Sequence, residues 1–271
     1  MTDAAATEIV VADSVTRLGP AQRGAVLVAG SHGGVYAAWL AAKAGLRAVI
    51  LNDAGVGLDR AGIAGLDYLD ALPMAAATVA HDSARIGDGA DMTARGIVSH
   101  VNAAALGLGC APGQTCMEAA RRMLAAPLPT AKPPALAETR HLVRAEPGEA
   151  KVWALDSASL VRPEDAGQIV LLGSHGGGAP ENALKADCRA AIFNDAGIGI
   201  DGAGIARLPA LDARGIAAAT VRADSARIGD GRSSWNTGIL SAVNARAAAA
   251  GGRVGMTAQA LVRHLLRQGV A

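Results

Sequence analysis

The sequence predicts an α/β protein of two similar lobes, each built on a parallel sheet. Three observations carry this. Short apolar runs alternate with stretches of helical period, the pattern of successive βα units. The apolar runs are continuous, as strands buried on both faces of a parallel sheet must be. The chain also repeats itself: Asp-Ser-Ala-Arg-Ile-Gly-Asp-Gly occupies 82–89 and returns unchanged at 224–231.

The repeat extends well beyond the octapeptide. Ser31-His32-Gly33-Gly34 returns as Ser174-His175-Gly176-Gly177, and Asn52-Asp53-Ala54-Gly55 as Asn194-Asp195-Ala196-Gly197. Asp13-Ser14 is echoed by Asp156-Ser157, and Val101-Asn102 by Val243-Asn244. Self-similarity at a fixed offset marks a duplicated unit. It predicts two Rossmann-like or flavodoxin-like lobes, 8–124 and 151–271, related by a pseudo-twofold axis. Residues 125–150 carry Pro127, Pro129, Pro133, Pro134 and Pro147 and read as a partly extended linker. Within it, His141-Leu142-Val143 is a short strand candidate.

In lobe one the elements follow in order. Residues 25–29 form an apolar strand ending in Gly-Ser-His-Gly-Gly, and 35–44 a helix by the spacing of apolar side chains. Residues 48–51 are the next strand, ending in Asn-Asp-Ala-Gly. A helix is expected over 59–72, a strand over 75–80 and a helix over 93–106. The last helix, 116–125, starts at Thr115 with Glu118 three positions on, a capping box.

Composition excludes several classes. Of the 271 residues 51% are hydrophobic but only 2% aromatic, so the core is packed from small aliphatic side chains. With 25 basic and 24 acidic residues, no basic tract and few rings to stack on bases, nucleic acid is not an expected partner. No apolar run approaches the ~20 residues of a membrane span. The first 14 residues lack the basic and apolar regions of a secretory signal. Cys110, Cys116 and Cys188, an odd number with no metal-ligand spacing, read as structural thiols of a cytoplasmic protein. A small-molecule substrate is the expected partner, and homo-oligomerisation is left open.

The polar motifs all fall at carboxyl ends of predicted parallel strands, where ligands of open α/β sheets bind. Lobe one supplies Ser31, His32, Gly33, Gly34, Asn52, Asp53, Asp82, Ser83, Arg85 and Asp88. Lobe two supplies Ser174, His175, Gly176, Gly177, Asn194, Asp195, Asp224, Ser225, Arg227 and Asp230. The helix after the Ser-His motif differs between the copies while these loops do not, so some requirement holds the loops fixed. Structural pairing across a pseudo-symmetric interface is one such requirement, and a ligand site another.

His32 and His175 are the candidate acid–base groups, with Asp53 and Asp195 to orient them. The alternative for Asp53 is an Asx turn. Ser83 and Ser225 are candidate nucleophiles or hydrogen-bond partners. Arg85 and Arg227 are candidate anion anchors, being planar forks suited to carboxylate or phosphate. Ser31 and Ser174, with the paired glycines, Asn52, Asn194, Asp82, Asp224, Asp88 and Asp230, complete the expected substrate site. Phosphate-loop, dinucleotide and Gly-x-Ser-x-Gly hydrolase motifs are absent.

The lobes also differ beside the retained residues. His81 is matched by Ala223, His100 by Ala242, Thr93 by Trp235 and Arg95 by Thr237. These differences favour one composite site shared by the lobes, with His81 and His100 as lobe-one specialists or as solvated surface histidines. The expected function is an enzyme acting on a small polar or anionic substrate at the lobe junction, a hydrolase or related acid–base catalyst that requires no cofactor. The alternatives are a non-catalytic ligand-binding protein and an enzyme using a divalent metal held by His and Asp.

Overall fold

The computed structural model describes residues 8–178 and 184–267. It is an α/β protein with two mixed, mostly parallel sheets, and the chain divides into two units. The first comprises the chain up to Val56, Arg60–Ala137 and Gly199–Asp201. The second comprises Gly57–Asp59, Glu138–Ile198 and the chain from Gly202.

In the first unit, β1 (Ile9–Ala12), β2 (Val26–His32), β3 (Ala48–Asn52), β4 (Ala75–Val79) and β5 (Val98–Val101) lie side by side in chain order. The first four are parallel and β5 is antiparallel to β4. Every residue of β3 and β4 is buried. Alternate side chains feed two cores, as the pleat requires. Val26, Val28 and Ile50 pack with Met92, Ala105 and Met123 from α3 (Gly89–Arg95), α4 (Ala103–Gly107) and α5 (Cys116–Met123). Leu27, Val49 and Leu51 pack on the other face with Ala37, Ala41, Leu66 and Leu69 from α1 (Val35–Lys43) and α2 (Ala64–Asp70).

The second unit has β6 (Arg140–Arg144), β7 (Val152–Leu155), β8 (Ile169–His175), β9 (Ala190–Asn194), β10 (Ala217–Val221) and β11 (Leu240–Val243), again in sequential order. Both edge strands, β6 and β11, are antiparallel to their neighbours. The helices are α6 (Leu208–Ala213), α7 (Gly231–Thr237), α8 (Ala245–Ala249) and α9 (Ala258–Arg267). The proline-rich stretch is divided between the units at 137/138. Its first part belongs with α1, where Trp39 Nε1 donates to the Pro134 carbonyl at 2.8 Å, and its last part supplies β6.

Two expected helices are shorter than their apolar periods suggest. The stretch 93–106 is a helix end, a strand and a new helix, because Gly96 ends α3 with its N–H on the Met92 carbonyl. Asn102 then starts α4, accepting the Ala105 amide at 3.0 Å. Met92, Val98 and Ala105 reach the same core from helix, strand and helix, and this imitates a helical period. The stretch 59–72 becomes helical only at Ala64, since Asp59 and Arg60 sit at positive φ. The capping box forms as expected, with Glu118 accepting the Thr115 amide at 2.8 Å and Thr115 the Glu118 amide at 3.2 Å.

Candidate functional site

Beyond β3 the chain makes a left-handed turn. Ala54, Gly55, Val56 and Gly57 have φ of 50°, 72°, 61° and 70°. The Val56 amide donates to the Asp53 carbonyl at 2.8 Å. A left-handed conformation costs an L-residue roughly 1–2 kcal/mol, and β-branched Val56 is the least suited occupant. The surroundings enforce it. The Gly62 amide holds the Val56 carbonyl at 2.8 Å, and Gly62 lies so close that any Cβ there would strike the Asp53 carbonyl. After β9 the same turn recurs, with φ of 49°, 76°, 63° and 71° at Ala196, Gly197, Ile198 and Gly199. Backbone strain held this firmly clusters at functional sites.

The first turn positions a carboxylate. Asp53 Oδ1 accepts the Gly55 amide and the His81 amide, both at 3.0 Å, and lies 3.0 Å from His81 Nδ1. The Asp53 side chain is 5% exposed and that of His81 28%. Burial alone would raise the Asp53 pKa, but the His81 ring and the two amides outweigh it and hold the carboxyl below its ordinary value. An ionised carboxylate can only accept, so Nδ1 of His81 carries the proton and Nε2 is the basic nitrogen. Gly199–Asp201 completes the surroundings of this histidine, the Ile200 amide donating to the His81 carbonyl at 2.9 Å. In the second unit Asp195 Oδ1 accepts the amides of Gly197 and Ala223 at 2.9 and 2.8 Å, and alanine replaces the histidine.

The other expected site residues are held by hydrogen bonds that recur in both units. Ser31 and Ser174 accept the amides of Val15 and Ala158 at 3.0 and 2.9 Å. Asn52 and Asn194, fully buried, bridge the Ala54 and Ala196 amides to the Ala84 and Ala226 carbonyls. Ser83 and Ser225 donate to the carbonyls of Ala80 and Arg222 and accept the amides of Ile97 and Ile239. Asp88 and Asp230 cap α3 and α7. Gly33 and Gly176 donate to the carbonyls of Asn52 and Asn194. His32 and His175 accept the amides of Gly34 and Gly177 on Nδ1 at 3.1 and 3.2 Å. Burial lowers the His32 pKa to about 4, so its imidazole is neutral at pH 7. Asp82 is exposed, and exposed Asp224 pairs with Arg222 at 2.8 Å. His100 stands on β5 opposite Thr78, its Nδ1 buried without a partner.

The arginines part company. The Arg85 backbone amide and Nη2 both bond Asp91, at 2.8 and 2.9 Å, and Arg95 bonds the same carboxylate and Asp201. Asp91 is held below its usual range because these partners outweigh its burial. Ser233 occupies the corresponding position of the second unit. Its hydroxyl accepts the Arg227 amide at 2.9 Å, and the Arg227 guanidinium bonds Asp59 instead, at 2.6 and 2.7 Å.

Sequence reasoning passed over Asp91, Ser233 and Arg232. The signal was there, since 91/233 and 90/232 are mismatches directly after an invariant octapeptide. It also passed over Arg207, where burial lowers the guanidinium pKa to about 10 and Nε has no partner. Among the described residues no group of three or more His, Cys, Asp or Glu side chains is arranged to hold a metal. No described helix is long and apolar enough to cross a membrane. Comparison with protein-family models, curated proteins and solved structures finds no match to this chain.

Proposed function

We propose that the protein is an enzyme performing acid–base chemistry on a small polar or anionic substrate, a hydrolytic or related reaction, with His81 rather than His32 or His175 as the acid–base group. The observation that carries this is the His81–Asp53 pair. A carboxylate fixed by two backbone amides, on a strained turn, sets the histidine tautomer and leaves Nε2 to take and return a proton. A positioned general base contributes roughly 100- to 10,000-fold in rate. Asp53 is a positioning residue in this scheme, and His32 and Asn52 support the strand ends. The recurrent hydrogen bonds and equal strand orders support descent of both units from one duplicated ancestor, and three buried free thiols suit a reducing cytoplasm.

The test is turnover of a panel of amides, lactams, esters and hydroxy acids by the wild type and by His81→Ala. A substrate turned over by the wild type and lost ~100-fold or more in the variant, at unchanged thermal stability, supports the reading. Equal rates in the two proteins would sink it. The second reading, a non-catalytic ligand-binding protein, is favoured by Asp195, which keeps the carboxylate geometry without a histidine. Binding of a panel member without turnover would select it.

A further inference from the structure

The second unit contains a cleft of about 730 Å³ that the proposed reaction at His81 does not use. It opens between the start of α7 and the segment entering β6, and its walls include Arg227, Arg232, Asn236, Thr237, Thr139 and His141. Its polar character arises where the two halves diverge. At positions 85, 88, 90, 91 and 95 the first unit has Arg, Asp, Ala, Asp and Arg, a balanced set. At 227, 230, 232, 233 and 237 the second has Arg, Asp, Arg, Ser and Thr, one positive charge in excess. Where the first unit has the carboxylate that pins Arg85 from within, the second has a hydroxyl, and an arginine stands at 232 opposite Ala90.

Asp230 is already counted in that set, and with Asp156 the cleft wall holds two arginines and two aspartates, but both carboxylates face backbone amides. Asp156 is committed to Thr139, accepting its amide at 2.7 Å and its hydroxyl at 2.6 Å, and accepts the Gly231 amide at 3.2 Å. Asp230 caps α7 through the Ser233 amide at 2.9 Å and stands 3.8 Å from Arg227. Among the described residues the only close ion pair of Arg227 is with Asp59, half exposed on both sides, and such pairs are weak and readily exchanged. The exposed Arg232 guanidinium has no partner among the described residues.

We infer that this cleft binds a small oxyanion, a phosphate or a carboxylate, between Arg227 and Arg232. Two guanidinium forks offer the parallel N–H donors that such groups take in bidentate fashion. Asn236, also in the cleft wall, provides a neutral side-chain donor beside them. The site is independent of the His81 chemistry, so either proposal stands if the other fails.

The experiment is calorimetric titration of the full chain with inorganic phosphate and, separately, with malonate, which distinguishes the two anion classes. One anion per chain is expected. Arg232→Ala should weaken it at least tenfold, and Asp59→Asn, which releases Arg227, should tighten it severalfold. Ser233→Asp restores the first unit's arrangement and should abolish binding. Because Ser233 is buried, the exposed Arg232 variant decides the case if the aspartate is not tolerated. No heat with either anion at millimolar concentration, or binding that ignores both Arg232→Ala and Asp59→Asn, overturns the inference.

Discussion

One oxygen of Asp53 receives both the backbone amide and the ring Nδ1 of His81, each at 3.0 Å. The ring is therefore fixed relative to its own backbone by a group 28 residues earlier. Asp53→Asn keeps the shape, but its amide can present N–H to the ring and admit the other tautomer. Loss of a histidine's orienting partner typically costs about 10- to 100-fold in function. The expected result is a rate loss of that order at a melting temperature close to wild type, with a shifted acidic limb in the pH–rate profile. An unchanged profile would show that Asp53 serves the fold alone.

The second unit offers the converse experiment. Asp195 already accepts the Gly197 and Ala223 amides as Asp53 accepts those of Gly55 and His81. Ala223→His should therefore create a second histidine–carboxylate pair, at an overpacking cost of about 1–3 kcal/mol. Proton NMR should show a new downfield ring N–H that Asp195→Asn removes. No such resonance would mean that the carboxylate geometry is insufficient to orient a histidine.

The turn that carries Asp53 depends on Gly62. A Cβ there collides with the Asp53 carbonyl and comes within 3.0 Å of that of Val56. Gly62→Ala should destabilise by about 2–3 kcal/mol, the usual cost of a buried steric insertion. Chemical denaturation measures this, and a change below ~0.5 kcal/mol would mean that the turn relaxes freely.

Stability against pH should reveal two opposing groups. The folded pKa of His32, about 4, lies below the ordinary 6.5. Between these values the unfolded chain binds a proton that the folded one refuses, so stability rises with pH across this window. At ~1.4 kcal/mol per unit the full effect is about 3 kcal/mol. Glu138 acts the other way. Burial raises its pKa to about 7 from 4.5, so the stability it contributes below 4.5 is lost as pH rises toward 7. His32→Asn, whose amide oxygen can still accept from Gly34, should make stability fall with pH between 4.5 and 6.5. Glu138→Gln should make it rise. Parallel curves for wild type and both variants would refute the assignment.

The strands were legible because full burial leaves a nearly unbroken apolar run, broken only by Asn52 at the end of Ala48–Asn52 and by Thr78 within Ala75–Val79. Retention of the octapeptide was legible too, but not its cause. Ser83 and Asp88 satisfy backbone groups at a strand end and a helix start, and such local work is indistinguishable in sequence from a ligand site. His81 stood out only as a difference between the halves. Its pairing with Asp53 arises because parallel strands β3 and β4 bring their ends together, a juxtaposition that no local spacing encodes. The left-handed turn was hidden for another reason: Ala54 and Val56 are residues that ordinarily avoid positive φ.

The sequential strand order has a consequence for how the chain acquires its shape. Every strand of the two sheets pairs only with its neighbours along the chain, so each sheet closes through one crossover at a time and no pairing waits for a distant segment. Domains form N-terminal first during synthesis, and the first sheet has all its strands once Val101 has emerged. One piece arrives much later. The carbonyl of His81 receives its amide from Ile200, 119 residues downstream, with Gly199–Asp201. The surroundings of that histidine are therefore complete only after Gly199–Asp201 have been made.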